Sequence, residues 1–319
     1  MLIKDKVYGN EEIKDPVIID LINSKTLQRL KLISQQGMPR EYYHRDVFSR
    51  FDHSCGVLIL LRRLGASTEE QIAGLLHDAS HTAFSHVIDW VIGDPSKEDY
   101  QDNMLLDFLK KSDIPPILKK YNIKIESIAN LTQFTLLEKE IPSLCADRVD
   151  YTLRELAGLG YNPKFLVNSI ISVNGQIAFK TKEAAKQFGL NYSKLQKEHW
   201  SGNEAKARYH ILAETLKYAL HKKHISLQEL HTTDYEVLNK LIKTNDTKIL
   251  QSLNKLKGSL IINESKTGGI LLKKKFRYID PEVFIKGKLI NLSHISAEYK
   301  NMIEEEKQSS NHLARVEIS

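Results

Sequence analysis

The chain has only two cysteines in 319 residues, Cys55 and Cys145. Two thiols give no disulfide framework, so a reducing compartment is expected. No apolar run approaches the length of a membrane span, so no membrane association is expected. Residues Met1 to Lys6 carry neither the apolar core of a signal peptide nor the features of a transit sequence, and a cytoplasmic protein is the expectation. Internal repeats are missing. Strong charge is missing as well. A net charge of +6 and a pI near 9.0 favour an anionic ligand without establishing nucleic-acid binding. Hydrophobic and charged contents of 41% and 27% are ordinary for a soluble protein. The length allows one large domain, or one domain plus an appendage.

What is present concentrates between Arg50 and Asp89. Ser67-Thr68-Glu69-Glu70 reads as a capping box, opening a helix with an apolar surface of Ile72, Ala73, Leu75 and Leu76. His77 and Asp78 follow at once. Two ionisable groups at the edge of a core are costly to bury unless they are paired or hold a metal. His53 opens a second apolar helix, Val57 to Leu64, and Asp147 stands far downstream in Cys145-Ala146-Asp147-Arg148-Val149-Asp150-Tyr151. Taken alone, His77-Asp78 reads as a helix-end histidine with a capping carboxylate.

The order His53, His77-Asp78, Asp147 resembles the H…HD…D signature of the HD-domain metal-dependent phosphohydrolases. Arg50-Phe51-Asp52-His53-Ser54 resembles the R-F-E-H-S segment of the deoxynucleoside triphosphate triphosphohydrolase branch, which includes the SAM-and-HD-domain enzymes. Ile72 to Asp78, followed by His81 and Phe84-Ser85-His86, resembles that branch's I-A-G-L-x-H-D-x-x-H-x-x-F-S-H. Asp147 to Glu155 is similar to its D-K-x-D-Y-x-x-R-D helix. The resemblance covers residues 20–165 and fades beyond them.

The resemblance implies His53, His77, Asp78 and Asp147 as metal ligands. Two imidazoles and two carboxylates suit Mn, Fe, Ni, Co, Zn or Mg with open positions, and the lack of thiolates argues against a closed structural zinc site. Such a divalent ion acidifies water and screens phosphoryl charge. His81 is implied at phosphate, and His86 as the group that protonates the leaving oxygen with Asp89 orienting it. Asp147, Tyr151 and Glu155 share a helix face at i, i+4 and i+8. By resemblance, Tyr151 packs on a deoxyribose and Glu155 reads its 3′-hydroxyl. Arg148, Gln35 and Arg50 align with phosphate and sugar contacts, and Arg208 is a looser candidate from a later helix. One departure stands out. The branch carries a His-Glu pair after the HD helix, whereas Pro95-Ser96-Lys97-Glu98-Asp99-Tyr100-Gln101 has no histidine.

The expected fold is mainly α: an HD-domain helical core, within residues 1–224 and centred on 20–165, followed by a small α+β C-terminal region at 225–319. Helices are expected at Asp99–Lys111, Pro115–Tyr121 and Ile123–Glu138, and from Gly202 to Lys222. Asn174-Gly175 between alternating segments signals a hairpin. Ser259–Asn263, Gly269–Leu272 and Lys288–Ser293 are candidate strands, and the polar tail Glu304–Ser310 is expected to fray. Cys55 and Cys145 read as small buried packing residues. Lys273-Lys274-Lys275-Phe276-Arg277 reads as a solvated strand edge, with phosphate, nucleic acid or a partner subunit as other occupants. The leading expectation is an enzyme hydrolysing deoxynucleoside triphosphates to deoxynucleoside and triphosphate, working as a homo-oligomer. The alternatives are a phosphomonoesterase or phosphodiesterase on another phosphate ester, and a non-catalytic nucleotide-sensing protein.

Overall fold

Apolar side chains gather into two clusters, and the candidate residues lie on the path between them. The first cluster joins the helix Arg50–Arg63, the helix Thr68–Leu76 and the helix Ala146–Gly158 to residues near both ends of the chain. The second joins Phe84, Val87 and Trp90 to the helices Asn203–His221, Asp234–Lys243 and Thr247–Lys257. Residues 77–86 cross from one to the other. The computed structural model describes residues 1–273, 275–309 and 313–318. Helices dominate them, and three small sheets complete the architecture. The fold is therefore mainly α, as the sequence suggests.

Local signals explain most elements. Ser49 and Asp52 form a reciprocal capping box at the start of the His53 helix. The expected box at Ser67 is only half formed. Ser67 accepts from the Glu70 N–H, but the Glu70 carboxylate turns away to accept from the backbone of Leu136 and Leu137. The Asn174-Gly175 hairpin forms between Ile170–Val173 and Gln176–Phe179, with both turn residues at positive φ. The stretch expected as a helix from Ile123 to Glu138 holds only the short helix Ile125–Ala129 and a 3₁₀ turn, Leu131–Gln133.

A domain division near residue 224 is not what the structure shows. The strand Glu282–Ile285 adds parallel to Gln176–Phe179 and then pairs with Lys288–Asn291, so one sheet joins both sides of that line. Tyr299, buried in the helix Ala297–Ser309, packs in the first core. That helix reaches Ser309 where fraying was expected; Ser310 lies outside the described residues. Leu313–Ile318 forms the middle strand between Ile262–Glu264 and Ile270–Lys273, so two of the candidate strands find their partner in a segment the sequence left unassigned.

The crossing segment is strained and braced. Phe84 and Ser85 have φ of 64° and 48°, the left-handed region that bulky residues avoid. The buried Asp234 carboxylate accepts from the N–H of Phe84 at 2.7 Å and of Ser34 at 2.8 Å. Ser85 Oγ donates to Ser34 O, and Arg29 donates to the carbonyls of Ala79 and His81. Asp234→Ala leaves two buried N–H groups without acceptors, at about 1–3 kcal/mol each. Denaturant unfolding should show a loss of roughly 2–5 kcal/mol, and a change below about 0.5 kcal/mol would mean the brace is redundant.

Candidate metal centre and active-site cavity

Each of the two inner histidines has one ring nitrogen already committed. His53 Nδ1–H donates to Asp150 at 2.7 Å, and His77 Nδ1–H donates to Gly74 O at 2.7 Å. A carboxylate and a carbonyl are acceptors, so both Nε2 atoms carry lone pairs facing inward. Those lone pairs stand 3.3 Å apart. Asp147 Oδ1 lies 2.9 Å from His53 Nε2 and 3.5 Å from His77 Nε2. Three acceptors this close repel one another unless a cation or a proton sits among them, so the donor set fits a divalent metal. In the bare protein a proton is favoured: burial pulls the His77 imidazole down, but Asp78 and Asp147 outweigh it and push the pKa up to about 10. His53 is raised for the same reason, with Asp147 and Asp150 overcoming its burial.

Helix geometry delivers these groups. His53 lies in the first turn of its helix, His77 caps the end of the next, and Asp147 opens the third. The approach is tight at Gly56, where an added Cβ would lie 1.8 Å from Arg154 Nη2 and 2.1 Å from Asp150 Oδ1. Arg154 in turn binds Asp150 and Asp5 at 2.7 Å each. Asp78 stands at the same point, 3.5 Å from His77 Nε2, but it also accepts from Arg50 at 2.7 Å. Arg50, expected at a phosphate, gives its other donors to Ser85 Oγ and the Gln35 carbonyl.

The centre opens into a cavity of about 1230 Å³, mouth included. Of the expected residues, Gln35, Arg50, His77, Asp78, His81, His86, Asp147, Arg148, Tyr151 and Glu155 line it. His53 and Asp89 lie buried behind them. His81 sits in the turn after its helix rather than on the His77 face, 3.2 Å from Asp78 Oδ1; burial and Arg50 hold it neutral. His86 is the more open imidazole, its side chain 23% exposed, with Nδ1 3.3 Å from Asp89 Oδ2. Asp89 is itself fixed by the Tyr100 N–H. Tyr151 meets Trp200 edge-on at 4.9 Å. Glu155 accepts from Gln36 at 2.7 Å and lies 3.3 Å from His199 Nε2. Arg148 gives its Nη atoms to the carbonyls of Ser143 and Lys139 and to Cys145 Sγ, leaving Nε buried without a partner among the described residues. Cys55 and Cys145 are buried and free.

Arg208 is a correction. Its guanidinium is buried on the carbonyls of Tyr42, Leu256 and Gly258 and on Glu204, away from the cavity, where it ties two helices together. The basic run at 273–277 is the second correction: Lys275 and Arg277 face the cavity instead of solvent, while Lys274 lies outside the described residues. Sequence reasoning missed them, together with Lys206, His199, Trp200, Glu138 and Asp102, which also line it. The one usable signal was Glu98, the acid left where the branch has a His-Glu pair.

A protein-family model for the HD domain matches residues 50–155. The Bacillus subtilis protein YdhJ is 37% identical across 100% of this chain and 99% of its own length. The chain belongs to the HD-domain metal-dependent phosphohydrolases. Metal-dependent phosphohydrolase cns2 of Cordyceps militaris is 39% identical over 50% of this chain and 46% of its own. A deoxynucleoside triphosphate triphosphohydrolase SAMHD1 homolog of Dictyostelium discoideum is 27% identical over 60% of this chain and 44% of its own. The chain thus spans less than half of either of these two. A phosphohydrolase structure from Bacteroides thetaiotaomicron superposes with a TM-score of 0.72 at 17% identity, covering 99% of both chains. HD-domain membership implies a divalent metal, and His53, His77 and Asp147 are placed to hold it. No helix among the described residues is long and apolar enough to cross a membrane.

His77→Ala should abolish bound metal while helical circular dichroism is kept. Asp150→Ala touches no inward atom, yet it should weaken metal affinity about 10–100-fold by freeing the His53 ring. Elemental analysis of dialysed protein checks both, and full occupancy in His77→Ala would refute the assignment.

Proposed function

We propose that this HD-domain phosphohydrolase hydrolyses deoxynucleoside triphosphates to deoxynucleoside and triphosphate. The observation that carries the reading is one cavity shared by the inward-facing His53, His77 and Asp147 site, the His86–Asp89 pair, and a Tyr151–Trp200 wall leading to Glu155. The motif resemblance and the Dictyostelium relative support the same substrate class.

The metal ligands in this reading are His53, His77, Asp78 and Asp147; when bound, a divalent cation supplies charge against the phosphoryl oxygens and acidifies a water. The residues of the chain do the rest. Arg50 holds Asp78 ionised and aimed, since their pairing, with His77 and His81, overcomes burial and keeps the carboxyl well below its usual range. Neutral His81 gives its single N–H to Asp78 Oδ1 and steadies that carboxylate beside the phosphates. His86, oriented by Asp89, delivers a proton to O5′ as the bond from that oxygen to the α-phosphorus breaks and the oxygen of water joins phosphorus. Tyr151 and Trp200 form an apolar flank for the sugar. Glu155, held by Gln36 and His199, takes the 3′-hydroxyl hydrogen bond, and Gln35 completes the sugar contacts, while Arg148 is spent on the Ser143 and Lys139 carbonyls.

A second reading, a phosphomonoesterase on nucleoside monophosphates, is favoured by Glu98, which occupies two of the cavity's cations. The two are separated by the catalytic efficiency on a deoxynucleoside triphosphate over that on its monophosphate and on an aryl phosphate, with one metal throughout. Ratios well above one support the first reading, and a ratio at or below one selects the second. On the better substrate, His86→Ala should keep the metal and lower kcat by about 100-fold or more. Glu155→Ala should erase a roughly ten- to hundredfold preference for deoxy over dideoxy substrates.

A further inference from the structure

One wall of the cavity does not come from the HD core. Glu98 is buried and accepts from Lys206 Nζ at 2.7 Å and from Arg277 Nη2 at 2.9 Å. Glu98 sits at φ 51°, a left-handed turn that swings its carboxylate inward after Asp94-Pro95. Lys275 reaches the carbonyl of Lys97, and its own carbonyl accepts from Gln196 and Ser201 at 2.8 Å each. The segment Lys275–Arg277 is therefore pinned at both backbone and side chain beside His86, Gln101 and Asp102.

Lys206 and Arg277 are paired with Glu98 and hold its carboxyl well below the usual range against its burial. Lys275 forms no ion pair among the described residues; its ammonium donates to the Lys97 carbonyl, and Asp102 and Asp89 are the other charges that face it. A partly buried cation without an ion pair can be completed by an anion that enters the cavity. The nearest anion that the reaction offers is the phosphate chain, and Arg277 presents a planar fork suited to it.

We propose that Lys275 and Arg277, with Lys206 behind them, form the subsite for the phosphates beyond the scissile bond and so set the length of phosphate chain the cavity accepts. This rests on the phosphohydrolase reading above and replaces the histidine missing at Lys97. The subsite is supplied by residues outside the 50–155 segment that the HD model matches, so substrate choice is separable from the metal centre.

Calorimetric titration of the full chain, loaded with Mn and dialysed free of unbound metal, tests it with sodium tripolyphosphate and orthophosphate as probes. Tripolyphosphate should bind at least about tenfold more tightly than orthophosphate, the scale of one charge-assisted contact. Lys275→Ala, whose side chain has no part in the Glu98 pairs, should cost tripolyphosphate about tenfold and leave orthophosphate within about twofold. Arg277→Ala should cost more, and Arg277→Lys should recover part of it. Equal losses for both anions, no loss in either alanine variant, or a wild-type preference for orthophosphate would each overturn the subsite. Failure to turn over any deoxynucleoside triphosphate, with Lys275-dependent tripolyphosphate binding intact, would refute the reaction and leave the subsite standing.

Discussion

The hydrogen bond from His53 Nδ1 to Asp150 is the contact on which the centre depends. It fixes which nitrogen of the imidazole faces inward, and with the His77–Gly74 bond it creates a cluster of acceptors that demands a cation. Asp150 is not free to relax, because Arg154 holds it from behind and is held in turn by Asp5 of the N-terminal hairpin. Breaking a buried pair of this kind costs about 3–5 kcal/mol, so the hairpin at residues 2–12 contributes to the orientation of a ring far from it in sequence. Gly56 is the steric condition for this arrangement, since any side chain there would meet the Arg154–Asp150 pair.

A second constraint positions His81 and His86 at the cavity. The turn through Phe84 and Ser85 is unfavourable by itself and persists because Asp234, Ser34 and Arg50 bind it, while Arg29 holds the His81 carbonyl just before it. Strain held by a dense network gives His81 and His86 fixed places, with ring centroids 5.0 Å apart and the planes nearly perpendicular. One imidazole is buried and neutral against Asp78, while the other is open and oriented by Asp89. Two chemically identical side chains thus enter the cavity prepared for different tasks.

Much of the centre was legible in the sequence. His53, His77, Asp78 and Asp147 sit beside strong local signals: capped apolar helices, a helix end and an i, i+4, i+8 face. Asp150 was visible in the same motif but not its role, because a second carboxylate three residues after Asp147 looks like an ordinary solvated charge. The basic wall was illegible. Lys206 lies on a long helix whose pattern speaks only of burial, and Lys275 and Arg277 alternate as a solvated strand edge would. Nothing local indicates that Glu98 will draw them inward. Arg208 misled for the converse reason, since an arginine on the right helix can be spent on carbonyls. The expected boundary near 224 failed because the Glu282–Ile285 strand returns to the first half of the chain.

Lys97 and Glu98 meet Lys275 and Arg277 across 178 and 179 positions of sequence. On a ribosome, where chains emerge and fold from the N-terminal side, the metal-facing residues leave the tunnel with the first half of the protein, and the opposing wall follows only near the end. An unfinished polypeptide can therefore gather its histidines and aspartates while the cavity stays open along one flank. Closure of that flank waits until Lys275 and Arg277 have emerged, so the pocket is completed well after its metal-facing residues are in place.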